Sequence, residues 1–293
     1  MARTLPAGCQ AVWSLKDGDS FLVCDALGDI HGGSETDGLF HDGTRVLSRL
    51  RLSLDETTPA LLSAAIAEDK VVFRAHMTNR PLPPVGDSAP AQGVIHIERS
   101  RFLWEGRLHE RIACTNYARV PVLLPLRVEF GADFRDMFEV RGMERARRGS
   151  YPQAELAGDR VTLRYDGLDG VSRRTVVAFS VAPAELREDL ARFERRLAPR
   201  ETFELYLEIG ADVATPGADR HRRAMVQARR ALRSRRRSGA RLRGGGLLFD
   251  AWVERSRTDI ALLASDLPSG RYPYAGIPWF STPFGRDAII TAL

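Results

Sequence analysis

The chain has 293 residues, 44% hydrophobic and 28% charged, a balance that excludes a disordered polymer and suits one large folded domain or two smaller ones. No apolar run approaches the roughly eighteen residues a membrane-spanning helix needs, so no membrane partner is expected. The net charge of +5 is local: residues 219–243 hold 11 of the 43 basic residues and one of the 38 acidic ones, which leaves an acidic body carrying one basic segment.

At the N-terminus, residues 1–14 lack the apolar run of a secretory signal. Cys9, Cys24 and Cys114 are odd in number and have no metal-like spacing, which predicts reduced thiols in a cytoplasm. From about residue 10 to 212 apolar residues recur with period two, as in Leu50/Leu52/Leu54, Ile95/Ile97, Ile112/Cys114, Leu124/Leu126/Val128/Phe130, Val161/Leu163/Tyr165 and Phe203/Leu205/Leu207/Ile209. Such alternation buries one face of a strand and wets the other. Asp17-Gly18, Asp42-Gly43, Ala157-Gly158-Asp159 and Asp166-Gly167 supply turns between the runs. Many short strands without intervening helices predict a mainly β chain with an antiparallel β-sandwich over residues 10–215. Residues 80–93 read as a proline-rich surface loop.

Beyond about residue 216 the period changes. Met225, Ala228 and Leu232 mark a narrow apolar stripe on an arginine-rich helix, and residues 216–246 read as a basic helical linker. Its arginines could meet phosphates, but the segment has no aromatic platform and the body is acidic. A solvated linker helix is the better reading, and no nucleic-acid partner is expected. A second helix begins near residue 247, with Leu248, Trp252, Ile260 and Leu263 expected on a buried side. A loop rich in Pro, Gly and Tyr follows, and a final helix starts near Thr282-Pro283 or at Asp287.

Three constellations carry chemistry. Residues 28–45 gather Asp29, His31, Glu35, Asp37, His41 and Asp42. The spacing fits no established metal loop, so turns or the lining of a carbohydrate cleft are expected in preference to a metal. In residues 133–142, "DFRDMFEVRG", Asp133, Asp136 and Glu139 lie three apart. They could serve as an acid and base pair. The preferred reading is a turn anchored by Phe134 and Phe138, with the acids in water or paired to Arg135 and Arg141. The last stretch, "GIPWFSTPFGRDAIITAL", is the most specific. Trp279, Phe280 and Phe284 could stack on sugar rings while Arg286 and Asp287 bind hydroxyls. Alternatively, Asp287 caps a helix and the aromatics pack between helices. No cofactor, metal or catalytic residue is assigned.

Residues 272–293, "YPYAGIPWFSTPFGRDAIITAL", closely resemble the start of the helical-barrel catalytic domain of bacterial glycogen debranching enzymes of the amylo-α-1,6-glucosidase type. Residues 37–55, "DGLFHDGTRVLSRLRLSLD", and residues 133–142 resemble two marker stretches of the domain that precedes that barrel. The resemblance implies a β-sandwich packed against an (α/α)6 barrel, with residues 247–293 as the opening of that barrel. It also implies inverting hydrolysis of α-glucosidic bonds by two carboxyl groups on later barrel helices, with Arg286 and Asp287 gripping the sugar nearest the cleavage point. Glycogen or an α-glucan oligosaccharide is the implied ligand. On this reading the chain ends before the acid and base, is silent alone, and has the remaining barrel as its partner in the same chain or another, so that Leu248, Trp252, Ile289, Ile290 and Leu293 are expected to form an exposed patch or to collapse onto the sandwich. A free-standing carbohydrate-binding or interaction module is the alternative, and a nucleic-acid-associated protein a further one.

Overall fold

A computed structural model describes residues 12–32, 36–82, 91–237, 242, 244–268 and 270–292. The period-two runs are antiparallel strands. β1 (Trp13–Asp17), β2 (Ser20–Cys24), β3 (Gly38–His41) and β4 (Thr44–Leu47) form a four-stranded meander in chain order. Between β3 and β4, Asp42 and Gly43 both take positive φ, 46° and 71°, the backbone of a two-residue hairpin turn that favours Asp-Gly.

The chain continues through β5 (Arg49–Leu54), β6 (Ala60–Ile66), β7 (Phe73–Thr78), β8 (Ile95–Trp104), β9 (Arg107–Asn116) and β10 (Val122–Gly131). After a one-turn helix, α1 (Met137–Val140), come β11 (Glu155–Ala157), β12 (Arg160–Asp166), β13 (Ser172–Phe179), β14 (Glu185–Leu186), β15 (Leu190–Leu197) and β16 (Thr202–Gly210). An eight-stranded sheet has the order β11-β12-β13-β16-β9-β8-β7-β6, and a four-stranded sheet the order β14-β15-β10-β5. One apolar cluster joins Leu50, Leu52 and Leu54 of β5 and Leu124, Leu126 and Val128 of β10 to Ile95, Ile97, Leu205, Leu207 and Ile209 of the large sheet. Sheet faces that meet in a shared core are a β-sandwich, as the alternation predicts.

That core also contains charge. Arg99 and Arg101 of β8 and Glu110 of β9 are buried together with Asp29. Arg99 donates to Glu110 at 2.7 Å and to Asp29 at 2.5 Å, and Arg101 grips both Glu110 oxygens at 2.9 and 3.0 Å. Arg101 also donates to the Gly28 carbonyl at 2.5 Å, where φ is +82° and a Cβ would lie 3.2 Å from the guanidinium carbon. Glycine is what lets the backbone come this close.

Helical structure follows residue 216. α2 (Ala218–Arg237) buries Ala224, Ala228 and Leu232 against Val71, Val72 and Phe102 of the sandwich. The helix is therefore docked along one face and is not solvated all round. Its arginines meet the acidic body: Arg220 pairs with Glu208, Arg229 with Asp69, and Arg235 with Asp17. α3 (Leu247–Leu263) follows, then a hairpin of β17 (Ala264–Leu267) and β18 (Gly270–Pro273), and α4 (Gly285–Ala292).

α3 departs from the expectation of a buried stripe, while the exposure of Leu248, Trp252, Ile289 and Ile290 agrees with the expectation that the last two helices present an apolar patch, Leu293 lying outside the described residues. Its buried residues are Val253, Thr258 and Ala261, whereas Leu248 is 90% exposed, Trp252 64% and Ile260 48%. Leu263 is half-buried. Ala261 shares an apolar cluster with Ala224, Ala228 and Leu232 of α2, Arg236 of α2 pairs with Glu254, and Arg257 donates to the Arg236 carbonyl at 3.0 Å. These contacts hold Glu254, Arg257 and Ala261 toward α2 and leave the larger apolar side chains outside. Among the described residues no helix is long and apolar enough to cross a membrane.

Candidate functional site: an aromatic cavity on the β3–β4 turn

Segments far apart in the chain meet around a cavity of about 740 Å3. Asp19 and the Asp42-Gly43 turn contribute one side, residues of α1 and its flanks a second, and residues 274–284 a third. All three stretches that carry the family resemblance therefore supply lining residues.

α1 forms because its ends are satisfied. The Asp136 carboxylate accepts from Phe138 N–H at 2.8 Å and Glu139 N–H at 2.9 Å, and the Glu139 carboxylate accepts in return from Asp136 N–H at 3.1 Å. The helix is fixed to the hairpin by Met137 N–H donating to Gly43 O at 3.0 Å and by Arg45 N–H donating to Arg135 O at 2.8 Å. The buried Arg45 guanidinium also forks onto the Asp133 carboxylate. Burial acts to raise the Asp136 carboxyl, but its N–H donors and Arg145 outweigh that and hold it below the ordinary carboxylate range.

The third side is tied down from β17 onward. Lys16 Nζ donates to Ser265 Oγ at 2.9 Å and Gly18 O at 2.7 Å, and lies 4.8 Å from the centre of the Tyr274 ring. Burial, with Arg235 nearby, lowers the Lys16 ammonium to about 8. The Tyr274 hydroxyl donates to Asp19 at 2.5 Å, and its pKa is pushed up to about 12 by burial and by that bond. Ile277 and Trp279 then pack on Phe21, Val23, Phe40 and Val140 of the small sheet and α1. Arg141 closes the seam: its guanidinium lies 5.1 Å from the Trp279 ring centre and 5.4 Å from that of Phe280, and it donates to the Trp279 carbonyl at 2.7 Å.

Of the residues expected at a sugar site, Trp279, Phe280 and Phe284 line the cavity. Arg286 is exposed on α4 and does not line it. Asp287 falls within α4, and its side chain lies outside the described residues. The three acids of residues 133–142 are ion-paired, as preferred, mostly with other partners. Asp133 binds Arg45 and lies 3.6 Å from Arg135, Asp136 meets Arg145, and Glu139 meets Arg148 at 3.0 Å. Arg141, expected on an acid, lies on aromatic rings instead. Phe134 anchors the turn by stacking on Tyr165, whereas Phe138 is 54% exposed and faces the cavity.

The acids and histidines of residues 28–45 disperse. Asp29 binds Arg99, His31 lies 3.1 Å from Asp25, Asp37 accepts from the His31 backbone, His41 bonds Ser20 at 2.8 Å, and Asp42 reaches the cavity. Glu35 lies outside the described residues. The sequence reading missed Asp19, Met137, Arg141 and Tyr274 as cavity residues. Only Asp19 lies outside the stretches already singled out. Exposed aromatic faces beside carboxylates and hydroxyls, here with Ser281 and Thr282, are the surface that a ring with apolar faces and a hydroxyl fringe requires.

Residues 15–208 match the family model for the N-terminal domain of some glycogen debranching enzymes. No curated protein matches. Among solved structures, a protein assigned as a kojibiose phosphorylase, from the human microbiome, aligns at 9% identity and a TM-score of 0.48 over 86% of this chain, which spans 36% of that protein's length. A galactose mutarotase related enzyme from Lactobacillus acidophilus aligns at 7% identity and a TM-score of 0.39, over 71% of this chain and 99% of that one.

Proposed function

Because the chain belongs to the family of N-terminal domains of glycogen debranching enzymes, we propose that its aromatic cavity is one wall of an α-glucan site in a glycoside hydrolase acting on α-glucosidic, chiefly α-1,6, linkages. The observation that carries the reading is the convergence of the Asp42-Gly43 turn, α1 and residues 274–284 on one cavity. Trp279, Phe280, Phe284 and Phe138 offer ring faces. Asp42, Ser281 and Thr282 offer hydrogen bonds. Arg286 and Asp287 extend the same site along α4 and bind hydroxyls of the sugar nearest the cleavage point. The rest of the site comes from a helical barrel, in the same polypeptide or as a separate chain.

The residues lining the cavity bind without cleaving. Inverting hydrolysis needs a carboxyl group kept protonated and a second carboxylate that activates water. Asp136 is driven the opposite way, toward the ionised form, and caps a helix. Asp19 is occupied by the Tyr274 hydroxyl. The 293-residue chain is therefore expected to release no glucose from panose or branched dextrin, and glucose release would overturn this part of the reading.

Binding is tested by titrating maltotetraose into the chain and into Trp279→Ala. Loss of one stacking face is expected to weaken binding about tenfold, near 1.4 kcal/mol. An unchanged affinity in Trp279→Ala removes the cavity as the sugar site. Asp287→Ala tests the extension along α4, and equal binding there confines the site to the cavity.

A further inference from the structure

Arg141 is the residue in this cavity whose placement the caps and ion pairs do not explain. It follows directly on α1, on the sandwich side of the cavity, and its guanidinium packs on Trp279 and Phe280, which belong to the segment 274–284. It makes no ion pair with a carboxylate among the described residues, although Asp136 and Glu139 are close in sequence and take Arg145 and Arg148 instead. One nitrogen, Nη2, donates to the Trp279 carbonyl at 2.7 Å, and its other N–H groups have no protein partner among the described residues. A flat cation held against two rings, with donors to spare and lining a cavity, is neither a buried structural pair nor a free surface charge.

We propose that Arg141 is a positioning and specificity-determining residue for the glucan site. It holds the Trp279–Phe280 wall in place and presents its remaining N–H groups to two neighbouring hydroxyls of one glucose ring. The inference rests on the reading of the cavity as a sugar site, but its positioning half stands on geometry alone. Two features of arginine make it suited to both tasks. The planar guanidinium stacks on aromatic faces, and its fork of donors matches paired oxygens. Lysine offers a point charge that does neither. Through Arg141 the sandwich shapes the aromatic wall contributed by a segment 138 residues further along the chain.

The test compares the 293-residue chain with Arg141→Lys, Arg141→Ala and Trp279→Phe, reading maltotetraose affinity, thermal midpoint and Trp279 fluorescence. The Trp279 signal is the difference from Trp279→Phe, which removes the other three tryptophans from the reading. Both Arg141 variants are expected to shift the Trp279 emission to the red, to increase its quenching by acrylamide, and to lose about tenfold in affinity. The thermal midpoint should stay within a few degrees, because Arg141 is exposed and is not itself part of an apolar core cluster. Lysine should not rescue. An unchanged Trp279 emission in Arg141→Ala overturns the positioning role. Unchanged affinity in Arg141→Ala, alongside weakened binding in Trp279→Ala, overturns the specificity role while the sugar site stands. If the unsubstituted chain binds no maltotetraose, the sugar reading and the specificity role fall together, and the emission shift still decides the positioning role.

Discussion

Arg99 sits where an alternating strand would place leucine. On β8 it shares the inward side with Ile95 and Ile97, and its charge is tolerated because Glu110 and Asp29 come to meet it. Burial acts to raise the Glu110 carboxyl, yet Arg101 and Arg99 outweigh it and hold the group below its ordinary range. Breaking such a set costs more than forming it contributes, because the remaining charges stay buried without partners. Arg99→Met should therefore lower stability by about 3–5 kcal/mol in urea unfolding. A loss under 1 kcal/mol would show that water reaches Glu110. The pH sign follows from the depressed carboxyl: the Glu110 contribution is complete above the free carboxylate range and is lost as pH falls through the folded value. Nothing in the sequence of β8 marks Arg99 as satisfied. Its partner Asp29 is 70 residues away, on a loop whose acids read equally well as turn formers.

At the scale of elements, the docking of α2 on the large sheet carries its own titration. His109 of β9 stacks on Phe102, and His221 of α2 meets the same ring edge-on and also meets Tyr206. Both imidazoles are buried, and the Nε2 atom of each has no partner among the described residues. Burial lowers His109 to about 4 despite Glu208 at 3.6 Å, with Arg220 and Arg107 acting in the same direction as burial. Burial, then His109 and Arg111, lowers His221 to about 4 against the pull of Glu110 and Glu204. The contact with Glu208 is thus one to a neutral ring. Because both folded values lie below the free value, the unfolded chain takes up protons first, and stability falls as pH drops from about 6.5 toward 4. By pH 5 the loss is roughly 2 kcal/mol per histidine, and it sets in well above the window of Glu110. Urea midpoints at pH 7.5 and 5.0 check this, and His221→Phe should flatten the dependence by about half. An equal slope in that variant would place the titration elsewhere. Period-two alternation and the Asp42-Gly43 turn made the sandwich legible in sequence, because both are local. The α2 face was half legible: Ala228 and Leu232 showed a stripe, but the histidine that completes it looked like one more basic residue among arginines.

For the molecule as a whole, the sandwich was readable and the assembly of its parts was not. The β3–β4 turn, α1 and residues 274–284 were each visible as unusual, yet their meeting depends on contacts such as Arg141 to Trp279 and Tyr274 to Asp19, which no periodicity encodes. α3 shows the same limit from the other side. Hydrophobicity pointed to Leu248, Trp252 and Ile260 as its inner face, but the side that meets α2 carries Ala261, Glu254 and Arg257. The two assignments make opposite predictions for substitution. With Val253 and Ala261 on the buried face of α3, Trp252→Glu and Leu248→Glu change side chains already in water and should lower stability by no more than about 0.5 kcal/mol in urea unfolding. The same two changes should reduce binding of an apolar dye, since Leu248, Trp252 and Phe249 form part of the exposed apolar surface. Val253→Asp places an unpaired carboxylate in the buried face of α3 and should cost several kcal/mol or undock the helix. Unfolding of the four proteins in parallel, read by circular dichroism, separates the cases. A Trp252→Glu variant as damaged as Val253→Asp would mean that the apolar stripe is the docked face, and that the helix is turned about its axis relative to the arrangement described.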